Sequence, residues 1–215
     1  MIWPPPADRS LEGAIVRLDP IAEADREPLA ALVEGEPEVW AWMDRRIPEQ
    51  RAAFDEWFDG HLGASRRAEW WTWVTRRSGD GAVIGSSSYL AVRPPHDGLE
   101  IGSTWLHPSA WRTGANREAK LLMLGYAFDE LGCMRVEFKT DARNERSRQA
   151  LAGIGARFEG IFRNHMHVPG AGRRDSAYFS IIDDEWPAVR EALQTGIAAG
   201  GTPSHHPRQT EEATH

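Results

Sequence analysis

Residues 14–18, AIVRL, alternate apolar and polar side chains, the period of a half-buried strand. From 22 to 34 the apolar residues recur at helical spacing, and Gly35 ends the run. Pro48 opens a second helix that reaches about residue 62 and aligns Phe54, Trp57, Phe58 and Leu62. Three strands follow: EWWTWVTRR at 69–77, AVIGSSSYLAV at 82–92 after the turn SGDG, and LEIGSTWL at 99–106 after the turn PPHDG. The period then changes. Across 116–131, Ala119, Leu122, Met123, Tyr126 and Ala127 fall at helical spacing, and Gly132 supplies the stop. RVEFKT at 135–140 reads as a strand, 144–153 as a short helix, 157–167 and 176–182 as strands, and 185–195 as a last helix.

This order, a run of antiparallel strands followed by alternating strands and helices, indicates one α/β domain over residues 1–195 with a mixed sheet. Residues 196–215 lack periodicity and apolar content and are expected to form a disordered tail. His205, His206 and His215 lie in that tail, where no neighbouring group would hold their rings in place for ligation, so no functional metal is expected.

Composition narrows the class. Apolar residues at 41% and charged residues at 27% suit a soluble globular chain, and no apolar run approaches the ~20 residues that span a bilayer. The N-terminus has no basic n-region or apolar h-region, and the lone Cys133 fits a reducing compartment, so a cytoplasmic protein is expected. The formal net charge of −7 argues against a nucleic-acid partner. Trp40, Trp42, Trp70, Trp71 and Trp73 read as core or as contacts of a homodimer, with some free to wall a pocket.

Candidate chemistry concentrates in residues 99–163. A strand ending at Leu106, the loop HPSAWRTGAN and a following helix aim backbone N–H groups and the positive end of the helix dipole at one point. Arg112 and Lys120 add cations. One Gly114 is a weak signal, and such a loop is often only structural. The chain has neither GxxxxGK[ST] nor GxGxxG, which disfavours nucleotide hydrolysis and Rossmann-type dinucleotide binding. Arg163, His165 and His167 alternate and are expected on one strand face, more as solvated groups than as pocket lining. Glu159-Gly160 reads as strand geometry.

EIGSTWLHPSAWRTGANREAK and RVEFKTDARNERSRQALAGIGARFEG resemble the core of the GNAT acetyltransferases, and within them the branch of the RimJ/RimL ribosomal-protein N-terminal acetyltransferases. The resemblance covers roughly residues 10–195. It implies a mixed, mostly antiparallel sheet of about seven strands flanked by helices, splayed between the fourth and fifth strands, with acetyl-CoA in the gap. The family's phosphate loop, Gln/Arg-x-x-Gly-x-Gly/Ala, falls on Trp111, Arg112, Thr113, Gly114, Ala115 and Asn116, where only Gly114 matches the strict pattern. Trp105, Leu106 and His107 would pair with the pantetheine amides, as an added strand does. Lys120 would assist at the phosphates. Asn144 and Ser147 match the family's Asn-x-x-Ser beside the donor arm.

The same resemblance implies catalytic roles. Glu100, fourteen residues before Gly114, stands where a strand carboxylate serves as general base. The Tyr that many members carry seven residues after the Asn is Leu151 here, and Ser147 takes its place as acid. The downstream Glu of RimL-like enzymes corresponds to Met166. Each assignment has a plainer reading: Glu100 as partner of a cation on the next strand, Ser147 as a helix-end hydroxyl, Asn144 as an N-cap. The implied function is transfer of an acetyl group to a primary amine, either a protein N-terminus or a small molecule, by direct attack on the thioester. The alternative is an acyl-CoA-binding domain that senses without turnover.

Overall fold

The computed structural model describes residues 1–43, 51–169 and 172–200. Strands Leu11–Glu12 (β1), Val16–Pro20 (β2), Trp71–Arg77 (β3), Val83–Arg93 (β4), Gly98–Leu106 (β5), Arg135–Asp141 (β6), Arg157–Val168 (β7) and Gly172–Ile182 (β8) form an eight-stranded sheet. Its order is β1-β2-β3-β4-β5-β6-β8-β7. Every pairing is antiparallel except that of β5 with β6. The strand beyond the expected seven is β1, whose two residues pair with Leu18 and Arg17 and are too few to show a period.

The helices are Arg26–Val33 (α1), Pro37–Trp40 (α2), Arg51–Arg66 (α3), Ala115–Gly125 (α4), Glu145–Gly153 (α5) and Trp186–Ala198 (α6). Pro48, the expected start of α3, lies outside the described residues. On one face of the sheet Trp73, Tyr89, Leu99, Ile101, Val136 and Phe138 pack against Ala119 and Met123 of α4 and Leu193 of α6. On the other, Val74 and Trp105 meet Leu29, Trp40, Phe54, Trp57 and Phe58 from α1–α3. Both faces of β3 are thus covered, which is why its WTWV reads as a continuous run and not as an alternation.

Two boundaries differ from the sequence reading for physical reasons. The strand expected at 14–18 begins at Val16 because the amides before it serve another acceptor. The buried Glu118 carboxylate takes hydrogen bonds from the N–H groups of Ala14 (3.0 Å), Ile15 (2.6 Å) and Val16 (2.7 Å). Gly13 lets the chain pass, since a Cβ there would stand 2.5 Å from that carboxylate. The last helix extends through Ala198, past the expected boundary at 195, and the Gly196 carbonyl accepts a hydrogen bond from Arg117 at 3.1 Å. The remainder of the expected tail, 201–215, lies outside the described residues.

The parallel pair is short. Gly98, Leu99 and Glu100 match Arg135, Val136 and Glu137, and there the ladder ends. β5 stays with β4 as far as Leu106, and β6 stays with β8 as far as Asp141. The two strands separate where β5 bulges: Gly102 faces Ser88 and Trp105 faces Ser86, with Ser103 at φ 47°. The splay therefore falls where the resemblance puts it, between the fourth and fifth of the strands read from the sequence.

Replacing Glu118 by Ala strands three amides at the start of β2. Denaturant unfolding is expected to show a loss of about 3 kcal/mol. An unchanged midpoint would mean that those amides find water at no cost.

Candidate active site

The gap between β5 and β6 opens at the C-terminal ends of two parallel strands, and each strand leads into a helix N-terminus. After β5 the chain makes a single turn at Pro108–Ala110 and a loop to Gly114, the N-cap of α4 at φ 87°. A side chain at Gly114 would be strained by that φ and would press a Cβ to 3.0 Å from Ile15 Cδ1. The loop is held by its own side chains. Trp111 Nε1 donates to the Leu106 carbonyl at 2.8 Å, and Thr113 Oγ1 to the Ala110 carbonyl at 2.7 Å. Arg112 is exposed, at φ 62°, and Asn116 is half-buried in the first turn of α4. After β6, Asn144 caps α5, its side-chain oxygen accepting from the Ser147 N–H at 3.0 Å. The Arg146 guanidinium lies 4.0 Å from the centre of the Trp111 ring, joining the two flanks of the gap.

Of the residues singled out in the sequence, Trp105–His107, Arg112–Asn116, Asn144 and Ser147 flank this opening and Glu100 stands at its base, whereas Lys120 lies in the interior. Trp105 and Leu106 bury their side chains on opposite faces of the sheet, and His107 ties its ring to Ser109 at 2.8 Å. What these three offer the gap is backbone. Asn144 fulfils its plainer reading as an N-cap. Ser147 is half-buried, and its hydroxyl makes no hydrogen bond among the described residues. Glu100 is buried on the α1–α3 face, with Lys139 Nζ of the neighbouring strand 3.5 Å from its carboxylate. Leu151 packs in the main core. Cys133 is buried too, which pushes its thiol up to about 12 and removes it as a nucleophile.

Lys120 corrects the sequence reading. It was expected as a mobile cation near the loop, yet its side chain turns under the sheet. Nζ bonds Ser87 Oγ at 3.0 Å and Thr104 Oγ1 at 2.7 Å. The buried stripe of α4 is wide enough to include Glu118, Ala119 and Lys120, so this ammonium belongs to the interior. Burial alone brings its pKa down to about 7.

Residues that the sequence reading missed complete the arrangement. His61 of α3 is buried between Trp57 and Trp70. Its Nδ1 faces the Trp57 carbonyl at 3.0 Å and must carry the proton, so Nε2 accepts from Ser103 Oγ at 2.9 Å when the ring is neutral. The bulge is therefore held on one face by His61 and on the other by Lys120. The signal was present: His61 continues the stripe of Phe54, Trp57, Phe58 and Leu62. Arg163, His165 and His167 do not share a face as expected. A bulge between Phe162 and Met166, with Asn164 at φ 50°, turns His165 toward Ser176 (3.0 Å) and Tyr178 (3.4 Å), while His167 pairs with Arg173.

A gap with an extended backbone on each side and two helix N-termini at its mouth suits a long, amide-bearing, anionic molecule. Residues 16–157 match the family model described as the acetyltransferase (GNAT) domain. The FsC-acetyl coenzyme A-N(2)-transacetylase of Aspergillus fumigatus is 32% identical over 89 residues, covering 41% of this chain and 38% of its own length. YdaF, a candidate ribosomal N-acetyltransferase of Bacillus subtilis, is 31% identical over 107 residues, covering 50% of this chain and 57% of its own. The chain thus aligns with less than two thirds of either relative. The crystal structure of a GCN5-related N-acetyltransferase from Brucella melitensis superposes with a TM-score of 0.82 at 34% identity, covering 92% of this chain and 91% of that one. The chain belongs to the GNAT acetyltransferase family, whose acyl donor is acetyl-CoA. Among the described residues no helix is long and apolar enough to cross a membrane.

The buried lysine makes stability depend on pH. Lys120 holds its proton up to about 10.5 when unfolded but only to about 7 when folded, so the unfolded chain binds more protons between these values. Stability conferred by this group rises with pH across that window. Thermal unfolding of wild type and Lys120→Met should show the wild type gaining on the variant from pH 7 to pH 10 (roughly the titration window). A constant difference would show that Lys120 keeps an ordinary affinity for its proton.

Proposed function

We propose that the protein transfers the acetyl group of acetyl-CoA to a primary amine by direct attack on the thioester. The observation that carries this is the parting of β5 and β6 after Glu100 and Glu137, at the C-terminal ends of parallel strands, with the N-termini of α4 and α5 beside the gap. In this reading the amides of Arg112–Asn116, with the Arg112 side chain, hold the pyrophosphate. The backbone of Trp105–His107 pairs with the pantetheine arm, and Asn144 and Ser147 line its other side.

The chemistry requires proton transfers. An ammonium acceptor first loses a proton. The amine nitrogen then bonds to the carbonyl carbon, the C–S bond breaks, the nitrogen sheds a second proton and the thiolate gains one. Glu100, on the α1–α3 face beside the bulge, is the proposed base, directly or through water. Ser147, whose hydroxyl is uncommitted within the described residues, is the proposed donor to sulfur. The acceptor is either a protein N-terminus, as the RimJ/RimL resemblance and the name of the Bacillus relative suggest, or a small amine. The lone, buried Cys133 supports work in a reducing cytoplasm. The exposed Trp42 and Trp70 leave a homodimer open.

Thiol release from acetyl-CoA across a panel of amines and peptides tests turnover, and its absence with every acceptor would favour the sensing alternative. With a working acceptor, Glu100→Gln should slow kcat by about 10²-fold or more near neutrality, with the loss relieved at high pH where the amine is already neutral. Ser147→Ala should lower kcat with little change in acetyl-CoA affinity. Near wild-type kcat in both variants from pH 6 to 9 (roughly the range that brackets base and amine) would remove the pair from the mechanism.

A further inference from the structure

Acetyl transfer in itself does not require a cluster of arginines on the acceptor side of the sheet, and this chain has one. Ser176 pairs with Asp141 and Ser180 with Glu137, so Arg174, Ser176, Tyr178 and Ser180 project from β8 on the same face as Glu100. Arg174 is only 5% exposed. Among the described residues its Nε has no hydrogen-bond partner, and its guanidinium makes no hydrogen bond or ion pair. A buried cation left this way is costly unless something else matches it. Arg174 lines a cavity of about 260 Å³ whose other walls include Trp42, Met43 and Val168, with Arg143 and Arg173 beside it.

The cavity's charge is not cancelled from within. Its carboxylate, Asp141, is already engaged by Arg143, through Nε at 3.0 Å, Nη2 at 2.9 Å and the backbone N–H at 2.9 Å. Those bonds, with a smaller contribution from the nearby charge of Arg174, hold the Asp141 carboxyl below its usual range. His165 adds no charge near neutrality, because burial and the cations Lys139 and Arg174 lower its pKa. Among the described residues Arg173 and Arg174 make no ion pair, so three guanidinium groups stand around the single carboxylate of Asp141.

We propose that this cavity receives a carboxylate or phosphate carried by the acceptor itself, so that the substrates are amines with an oxyanion at their far end. The inference rests on the acetyl-transfer reading. Planar guanidinium groups match the two oxygens of a carboxylate or phosphate, and the small, partly apolar cavity admits a compact end group. Register sets the length of the acceptor. Glu100 aligns with Glu137, opposite Ser180, and Arg174 lies six residues further along β8. That is roughly 20 Å of strand, from which the reach of the two side chains is subtracted. An amine near Glu100 and an anion at Arg174 therefore suit a molecule about as long as a dipeptide or tripeptide.

The test compares a tripeptide with a free C-terminus, its C-terminal amide, and an aminoalkyl phosphate of similar length. For wild type, kcat/KM should favour an anionic acceptor over the amide by roughly tenfold to a hundredfold, mainly through KM. The arm that is favoured separates carboxylate from phosphate. Arg174→Gln should erase that ratio, Arg174→Lys should restore part of it, and Arg173→Gln, at an exposed position, should lower it even if the Arg174 variants fail to fold. Equal use of acid, phosphate and amide by an active enzyme overturns the proposal and leaves acetyl transfer standing. If no acceptor releases thiol, the acetyl-transfer reading fails separately. Calorimetry with inorganic phosphate then decides on the cavity: binding by wild type that Arg173→Gln weakens supports it, and equal or absent binding overturns it.

Discussion

The site depends on β5 breaking its ladder with β6 while staying folded. Past Glu100 one edge of β5 has no strand beside it among the described residues, and an unpaired backbone edge inside a protein is unfavourable unless water or a ligand completes it. The sheet tolerates the opening because the bulge is fixed from both faces. His61 reaches Ser103 from α3, and Lys120 reaches Thr104 and Ser87 from α4. Ser87 and Thr104 also bond each other at 2.6 Å. These polar contacts hold the backbone of Ser103–Leu106 in place without any ligand. Preorganisation of this kind lowers the ordering cost of binding.

Charge is distributed against the average of the chain. The formal net charge is −7, yet Arg112 and Arg146 stand at the mouth of the gap, and Arg143, Arg173 and Arg174 gather at the cavity beyond the end of β6. An acidic exterior with local cationic pockets discourages polyanions and still admits small anions. The acidic residues, for their part, are largely engaged in structure. Glu118 serves the amides that precede β2, Glu159 pairs with Arg135, and Asp129 with Arg190.

The architecture was largely legible from periodicity and turn residues, because hairpins such as 71–93 and the stripe of α4 follow simple patterns. What escaped was set by tertiary contacts. The start of β2 shifted because Glu118, a hundred residues away in sequence, claimed its amides. Lys120 was misread because a cation near a phosphate loop is expected to face it, whereas here the cation is buried on two hydroxyls. The bulge in β7 that redirects His165 left no trace in the alternation of Arg163, His165 and His167. Around the gap, the backbone determinants Gly114 and Asn144 could be read directly, since φ and capping leave residue-type signatures. The arginine cavity could not, because Trp42, Asp141 and Arg174 meet only in the folded chain.

Amide hydrogen exchange with and without CoA tests the central claim most directly, because it reports on the backbone. If the opening between β5 and β6 is the donor site, CoA should slow exchange at residues 103–107, at the first turn of α4 from Ala115 and at the first turn of α5 from Glu145, and leave β1 and α6 unchanged. Saturating CoA that leaves those three segments unaltered, or that protects β1 and α6 instead, would contradict it.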